Sequence, residues 1–177
     1  MKVELFPFQK RALSDIRMKT AEVLGSYHRT HAPQVVSFTA PTGAGKTIIM
    51  SALIESILYG DDSYAEQPNA IIVWLSDSPQ LNELKIDSKA DKIRLSQCVT
   101  VTEDSFDKET FEDGHIYFLN TQKLSVTSKL TKNGDNRSYT IWETLANTVR
   151  DKSDRLYFII DEAHRGMQGR EASKATT

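Results

Sequence analysis

Eight residues, Ala40-Pro41-Thr42-Gly43-Ala44-Gly45-Lys46-Thr47, combine the types needed to hold a phosphate chain. A turn whose backbone N–H groups converge forms an anion nest, and a helix starting at its end adds a positive dipole. Gly43 and Gly45 permit backbone angles closed to other residues and let a phosphate approach closely. Lys46 can reach β- and γ-phosphates, and the Thr47 hydroxyl can ligate Mg²⁺. Pro41, Thr42 and Ala44 complete the cradle. The full phosphate-loop pattern has Gly at its first position, where this chain has Ala40.

A second set of chemical groups, Asp161-Glu162-Ala163-His164, follows the apolar run Leu156 to Ile160. A carboxylate at the carboxyl end of a buried strand lies where ligands bind in an open parallel sheet. Asp161 is suited to hold Mg²⁺, as the corresponding acid does in phosphate-loop enzymes. Glu162 is placed to act as general base towards an attacking water. His164 is a candidate to sense the γ-phosphate or to link the site to a neighbouring domain.

These groups need rigid elements to hold them. Val35 to Thr39 reads as a strand leading into the glycine-rich turn, and the apolar stretch from Ile48 to Tyr59 as the helix that leaves it, stopped near Gly60. Residues 8 to 28 have a helical pattern through Ala12, Leu13, Ile16, Leu24 and Tyr27. Strands are predicted at Ala70 to Leu75, Cys98 to Thr102 and His115 to Leu119. Leu156 to Ile160 reads as a strand buried on both faces. Helices are predicted from about Pro79 to Leu84 and over Ser138 to Lys152, the latter with Ile141, Trp142, Leu145 and Val149 on one side. A turn falls at Asn133-Gly134-Asp135-Asn136. Trp74 and Trp142 both read as core side chains. Strands alternating with helices predict an α/β fold, with a mostly parallel sheet covered by helices on both faces.

Together these segments resemble the superfamily 2 helicases and translocases of the DEAH-box type. Within that group they resemble bacterial helicases related to the Res subunit of type III restriction enzymes. Ala40 to Thr47 is similar to motif I, and Asp161 to His164 matches motif II letter for letter. Leu5 to Ala12 resembles the adenine-recognising Q motif, which implies that Gln9 reads the adenine edge; a side-chain amide offers a donor and an acceptor side by side. Phe6 or Phe8 either packs on the base or serves the core. Tyr117 to Leu124 resembles motif Ib. At motif Ia the chain departs: it has Ser76-Asp77-Ser78-Pro79 where family members often have an arginine. Phosphate contact through Ser76, Ser78 or backbone N–H groups and a plain helix start capped by Ser78 fit that segment equally.

The resemblance implies a RecA-like phosphate-loop domain that uses ATP and Mg²⁺ and works on nucleic acid, DNA rather than RNA. On this reading residues 1–177 are an N-terminal helicase ATP-binding domain that is incomplete. A second RecA-like domain, with arginines that reach the γ-phosphate, and motif III are expected outside it. The motif III strand is expected between those carrying motifs I and II. The isolated residues are therefore expected to hydrolyse ATP weakly and to be marginally stable or to self-associate. The alternative is a nucleotide-binding interaction or switch module without motor activity. A third reading is the motor of a restriction or defence nuclease.

Composition sets bounds on these readings. The 177 residues are 39% hydrophobic and 26% charged, which suits one soluble globular domain. No apolar run approaches the roughly 20 residues that span a bilayer, and Met1 to Lys10 has no secretory core segment. One cysteine, Cys98, excludes an internal disulfide and reads as a small apolar residue. These features predict a cytoplasmic location. His28, His31 and His115 lack metal-ligand spacing. The net charge of −2 is not that of a strongly basic DNA binder. Charge is uneven, with an acidic run from Glu103 to Asp113 and a basic one through Lys123, Lys129, Lys132 and Arg137.

Overall fold

The computed structural model describes residues 4–77, 86, 90–134 and 137–161. Helix α1 spans Pro7–Thr30 and α2 spans Lys46–Tyr59. Strands β1 (Ile71–Ser76), β2 (Cys98–Thr100) and β3 (Ile116–Asn120) follow, then α3 (Ile141–Lys152) and β4 (Leu156–Ile160). The four strands form one sheet in the order β2-β3-β1-β4, and every pairing is parallel. The predicted helix from Pro79 to Leu84 lies outside the described residues, as do Glu162 and His164.

Alternation along the strands divides the core in two. Ile72 and Trp74 of β1 and Ile116 and Phe118 of β3 face Ile16 of α1 and Leu53, Ile54, Ile57 and Leu58 of α2. Ile71, Val73, Tyr117 and Leu119 point the other way, onto Phe106, Phe111, Leu130 and Ile141 of α3. Helices thus cover both faces, as the alternating pattern requires. The strand register sets this division, because a slip by one residue would exchange the two faces.

Local chemistry fixes the helix ends. Pro7 occupies the first turn of α1, where its missing N–H costs nothing. Gly60, at φ 69°, stops α2 and donates its N–H to the Ser56 carbonyl at 2.9 Å. Helix α3 begins at Ile141 rather than Ser138. Thr140 and Glu143 form a reciprocal cap there: Thr140 N donates to Glu143 Oε2 at 2.7 Å, and Glu143 N donates to Thr140 Oγ1 at 3.2 Å.

Three sequence readings are corrected. Val35 to Thr39 forms no strand. Its side chains alternate as in a strand, with Val36 and Phe38 packed on the α1–α2 core while Val35, Ser37 and Thr39 are exposed. Alternation selects which side chains face the core, but a ladder also needs a neighbouring backbone. Strand β4 ends the sheet order and does not pair with this segment. For the same reason β4 is not buried on both faces: Phe158 is 47% and Ile160 61% exposed. Trp142 is not a core residue either. The buried line of α3 is Ile141, Thr144 and Thr148, so Trp142 lies on the outer flank and is half exposed. Trp74, in contrast, is buried.

Candidate nucleotide site

The glycine-rich turn has the backbone its residue types predict. Ala44 N donates to Pro41 O at 3.1 Å, closing a tight turn. Gly43 and Gly45 adopt φ of 83° and 81°, in the left-handed region that disfavours a β-carbon. Gly45 is the N-cap of α2, so Lys46 and Thr47 open the helix with its unpaired N–H groups and positive dipole end beside the turn. The Lys46 ammonium donates to the Ala40 carbonyl at 3.0 Å, back across the loop. Thr47 accepts from the Ser51 hydroxyl through its carbonyl at 2.7 Å, leaving its own hydroxyl outside that bond.

Gln9 braces this loop from α1. It is 4% exposed, and both ends of its amide are engaged. Nε2 donates to the Ala44 carbonyl at 2.9 Å, and Oε1 accepts from Phe6 N at 3.0 Å. A β-carbon on Gly45 would come within 2.5 Å of Gln9 Nε2. The amide therefore fits only because Gly45 has no side chain. Phe6 and Phe8 are exposed and stack on each other, with ring centroids 6.0 Å apart and an interplanar angle of 9°. They are not core aromatics.

Asp161 is positioned by the sheet rather than by the loop. Its N–H donates to Leu75 O at 2.9 Å, extending the β1–β4 ladder by one bond at the carboxyl edge. Among the described residues no hydrogen bond joins it to residues 40–47. The structure thus brings Gln9, Ala40, Ala44, Gly45 and Lys46 together and holds Asp161 at the carboxyl end of β4.

At the same edge, Asp77 follows β1. Thr121 Oγ1 donates to Asp77 Oδ1 at 2.5 Å, and Asn120 Nδ2 donates to Asp77 O at 3.3 Å. Asp77 therefore ties the segment after β1 to the turn after β3, a role that its departure from the motif pattern did not reveal. The acidic and basic runs meet in space. Lys123 lies 3.3 Å from Glu103, and the Arg137 guanidinium donates to the carbonyls of Glu103 and Phe106. The Ser128 hydroxyl, then Lys123, holds the Glu103 carboxyl below its ordinary range. The N–H groups of Ser138 and Tyr139 do the same for Asp107. Part of the basic run is thus spent inside the chain.

The family whose description reads type III restriction enzyme, res subunit, matches residues 2–176. The chain belongs to this family. The Res-subunit family carries a helicase-like ATP-binding domain of RecA-like α/β fold, in agreement with the all-parallel sheet and its covering helices. No curated protein and no solved structure matches the chain. No helix among the described residues is long and apolar enough to cross a membrane.

Proposed function

We propose that this chain is the ATP-binding domain of a nucleic-acid-dependent ATPase that couples hydrolysis to movement along DNA. The observation that carries the reading is the loop itself: two left-handed glycines deliver Lys46 and Thr47 to the start of α2, and the Gln9 amide braces the turn. Residues Pro41 to Thr47 cradle the phosphates, and Lys46 leaves the Ala40 carbonyl to pair with them. Gln9 is the residue on this reading that selects adenine, and His164 senses the γ-phosphate. Glu162 orients water for in-line attack on that phosphate. The oxygen donors of Thr47 and Asp161 suit Mg²⁺, which would supply charge neutralisation at the β- and γ-phosphates.

A fluorescent ATP analogue titrated with and without Mg²⁺ tests the binding half of this reading. Saturable, Mg²⁺-dependent binding that Lys46→Ala abolishes is the expected result. DNA- or RNA-stimulated hydrolysis by the complete gene product, lost in Glu162→Gln, tests the motor half. Binding without stimulation by either nucleic acid supports the second reading, an interaction or switch module, which the acid at Asp77 favours. Appended nuclease chemistry would make the domain the motor of a restriction or defence system.

A further inference from the structure

Four of the exposed large apolar side chains, Trp142, Val149, Phe158 and Ile160, line one groove of about 610 Å³ between α3 and β4. Leu75 and Leu145 form its floor, and almost no polar surface enters it. Contiguous apolar surface of this kind marks an interaction site rather than ordinary surface. We infer that the groove is a two-fold interface between two copies of this chain, with α3 of each copy lying over β4 of the other.

The patch is self-complementary, as a two-fold contact requires. Helix α3 supplies a ridge, and β4 beside it supplies a trough with no helix over Phe158 and Ile160. The exposed residues of α3 are Trp142, Glu143, Ala146, Val149 and Arg150, a single stripe at helical spacing. Antiparallel pairing of two such stripes about Ala146 sets Trp142 against the second copy's Val149. The same operation sets Glu143 against the second copy's Arg150 on both flanks, and it opposes the helix dipoles favourably. The stripe thus carries apolar anchors at its centre and matched charges at its rim. The sixteen residues after Asp161 are a poor alternative occupant: Met167 is their only large apolar side chain.

Sedimentation velocity of the 177-residue chain from about 1 to about 100 μM tests the inference. The expected result is a monomer–dimer equilibrium within that range. Iodide quenching gives a second readout, because Trp74 is buried and Trp142 is the accessible tryptophan. Its quenching is expected to fall as the dimer forms. Val149→Arg should raise the dissociation constant by about 100-fold or more, with an unchanged circular dichroism spectrum. Leu95→Arg, an exposed apolar site away from the groove, should leave it unchanged. Three results would overturn the interface. One is a monomer with accessible Trp142 throughout, which leaves the groove to another protein. Another is a monomer with Trp142 shielded at every concentration, which assigns it to the chain's own tail. The last is a dimer that survives Val149→Arg.

Discussion

The Gln9 amide and the Ala44 carbonyl meet at 2.9 Å, joining the first turn of α1 to the phosphate-type loop. The other end of the same amide holds Phe6 N at 3.0 Å, so one side chain sets both the start of a helix and the shape of the loop. The two roles can be separated by substitution. Gln9→Glu keeps an oxygen for Phe6 N but turns a second oxygen towards the Ala44 carbonyl, where two acceptors repel. Gln9→Ala loses both bonds, each worth about 0.5–1.5 kcal/mol. Gln9→Glu is expected to weaken binding of a fluorescent ATP analogue by about tenfold with a smaller fall in melting temperature than Gln9→Ala. Equal nucleotide affinity in wild type and Gln9→Glu would show that the brace has no part in loop function.

The Lys46 ammonium rests on the Ala40 carbonyl at 3.0 Å, an interaction that nucleotide binding must replace. A single neutral carbonyl is a weak partner for a full charge, so little stability depends on it. Charge-assisted bonds to phosphate are stronger, at about 1.5–3 kcal/mol each. Lys46→Ala should therefore cost about 10- to 100-fold in ATP-analogue affinity while moving the melting temperature by no more than about 2 °C. Calorimetric titration and a thermal melt on the same preparation measure the two effects side by side.

How much of this was legible beforehand depends on whether a feature is local. Helix α2 with its stop at Gly60, and strands β1 and β3, follow from uninterrupted apolar runs and one left-handed glycine. The loop conformation follows from Gly43 and Gly45. Neighbour-dependent features were not legible. The apolar run of β4 is what a strand buried on both faces looks like, yet no helix covers Phe158 and Ile160 and the sheet ends there. Val35 to Thr39 has the alternation of a strand without a ladder. Trp142 falls outside the buried line because Ile141, Thr144 and Thr148 set it, and two threonines in a core stripe do not register as apolar. In the site, the position of Gln9 was readable, but its engagement by two backbone groups was not. The bond from Thr121 to Asp77 joins residues 44 apart, and nothing local signals it.

Those buried threonines do specific work. Thr148 is fully buried, accepts from Phe111 N at 2.9 Å and donates to Thr144 O at 2.7 Å. Thr148→Val keeps the shape but strands the Phe111 N–H in an apolar setting. That costs about 1–3 kcal/mol, or roughly 2–10 °C in melting temperature for a domain of this size. Thr148→Ser keeps the hydroxyl and should recover most of the difference in urea or thermal unfolding. A Thr148→Val protein as stable as wild type would mean that Phe111 N finds another acceptor.

The last prediction concerns alkaline pH. Tyr117 is fully buried on the α3 face of the sheet, and its hydroxyl accepts from Glu112 N at 2.9 Å. Burial pushes its ionisation up to about 12 from 10.0. Tyr157 is shifted the same way by burial, against its bond to Gln67. Between pH 10 and about 12 the folded chain retains the Tyr117 proton while the unfolded chain loses it. The unfolded state then binds fewer protons, so stability falls as pH rises through that window and is unaffected below it. Tyr117→Phe carries no ionisable group there. It should be less stable at pH 8 by about 0.5–1.5 kcal/mol, for the lost bond, yet lose stability less steeply above pH 10. Urea unfolding followed across that range separates the two effects, because the wild-type and variant curves must converge as pH rises. Parallel curves would mean that the Tyr117 hydroxyl ionises as freely in the folded chain as in the unfolded one.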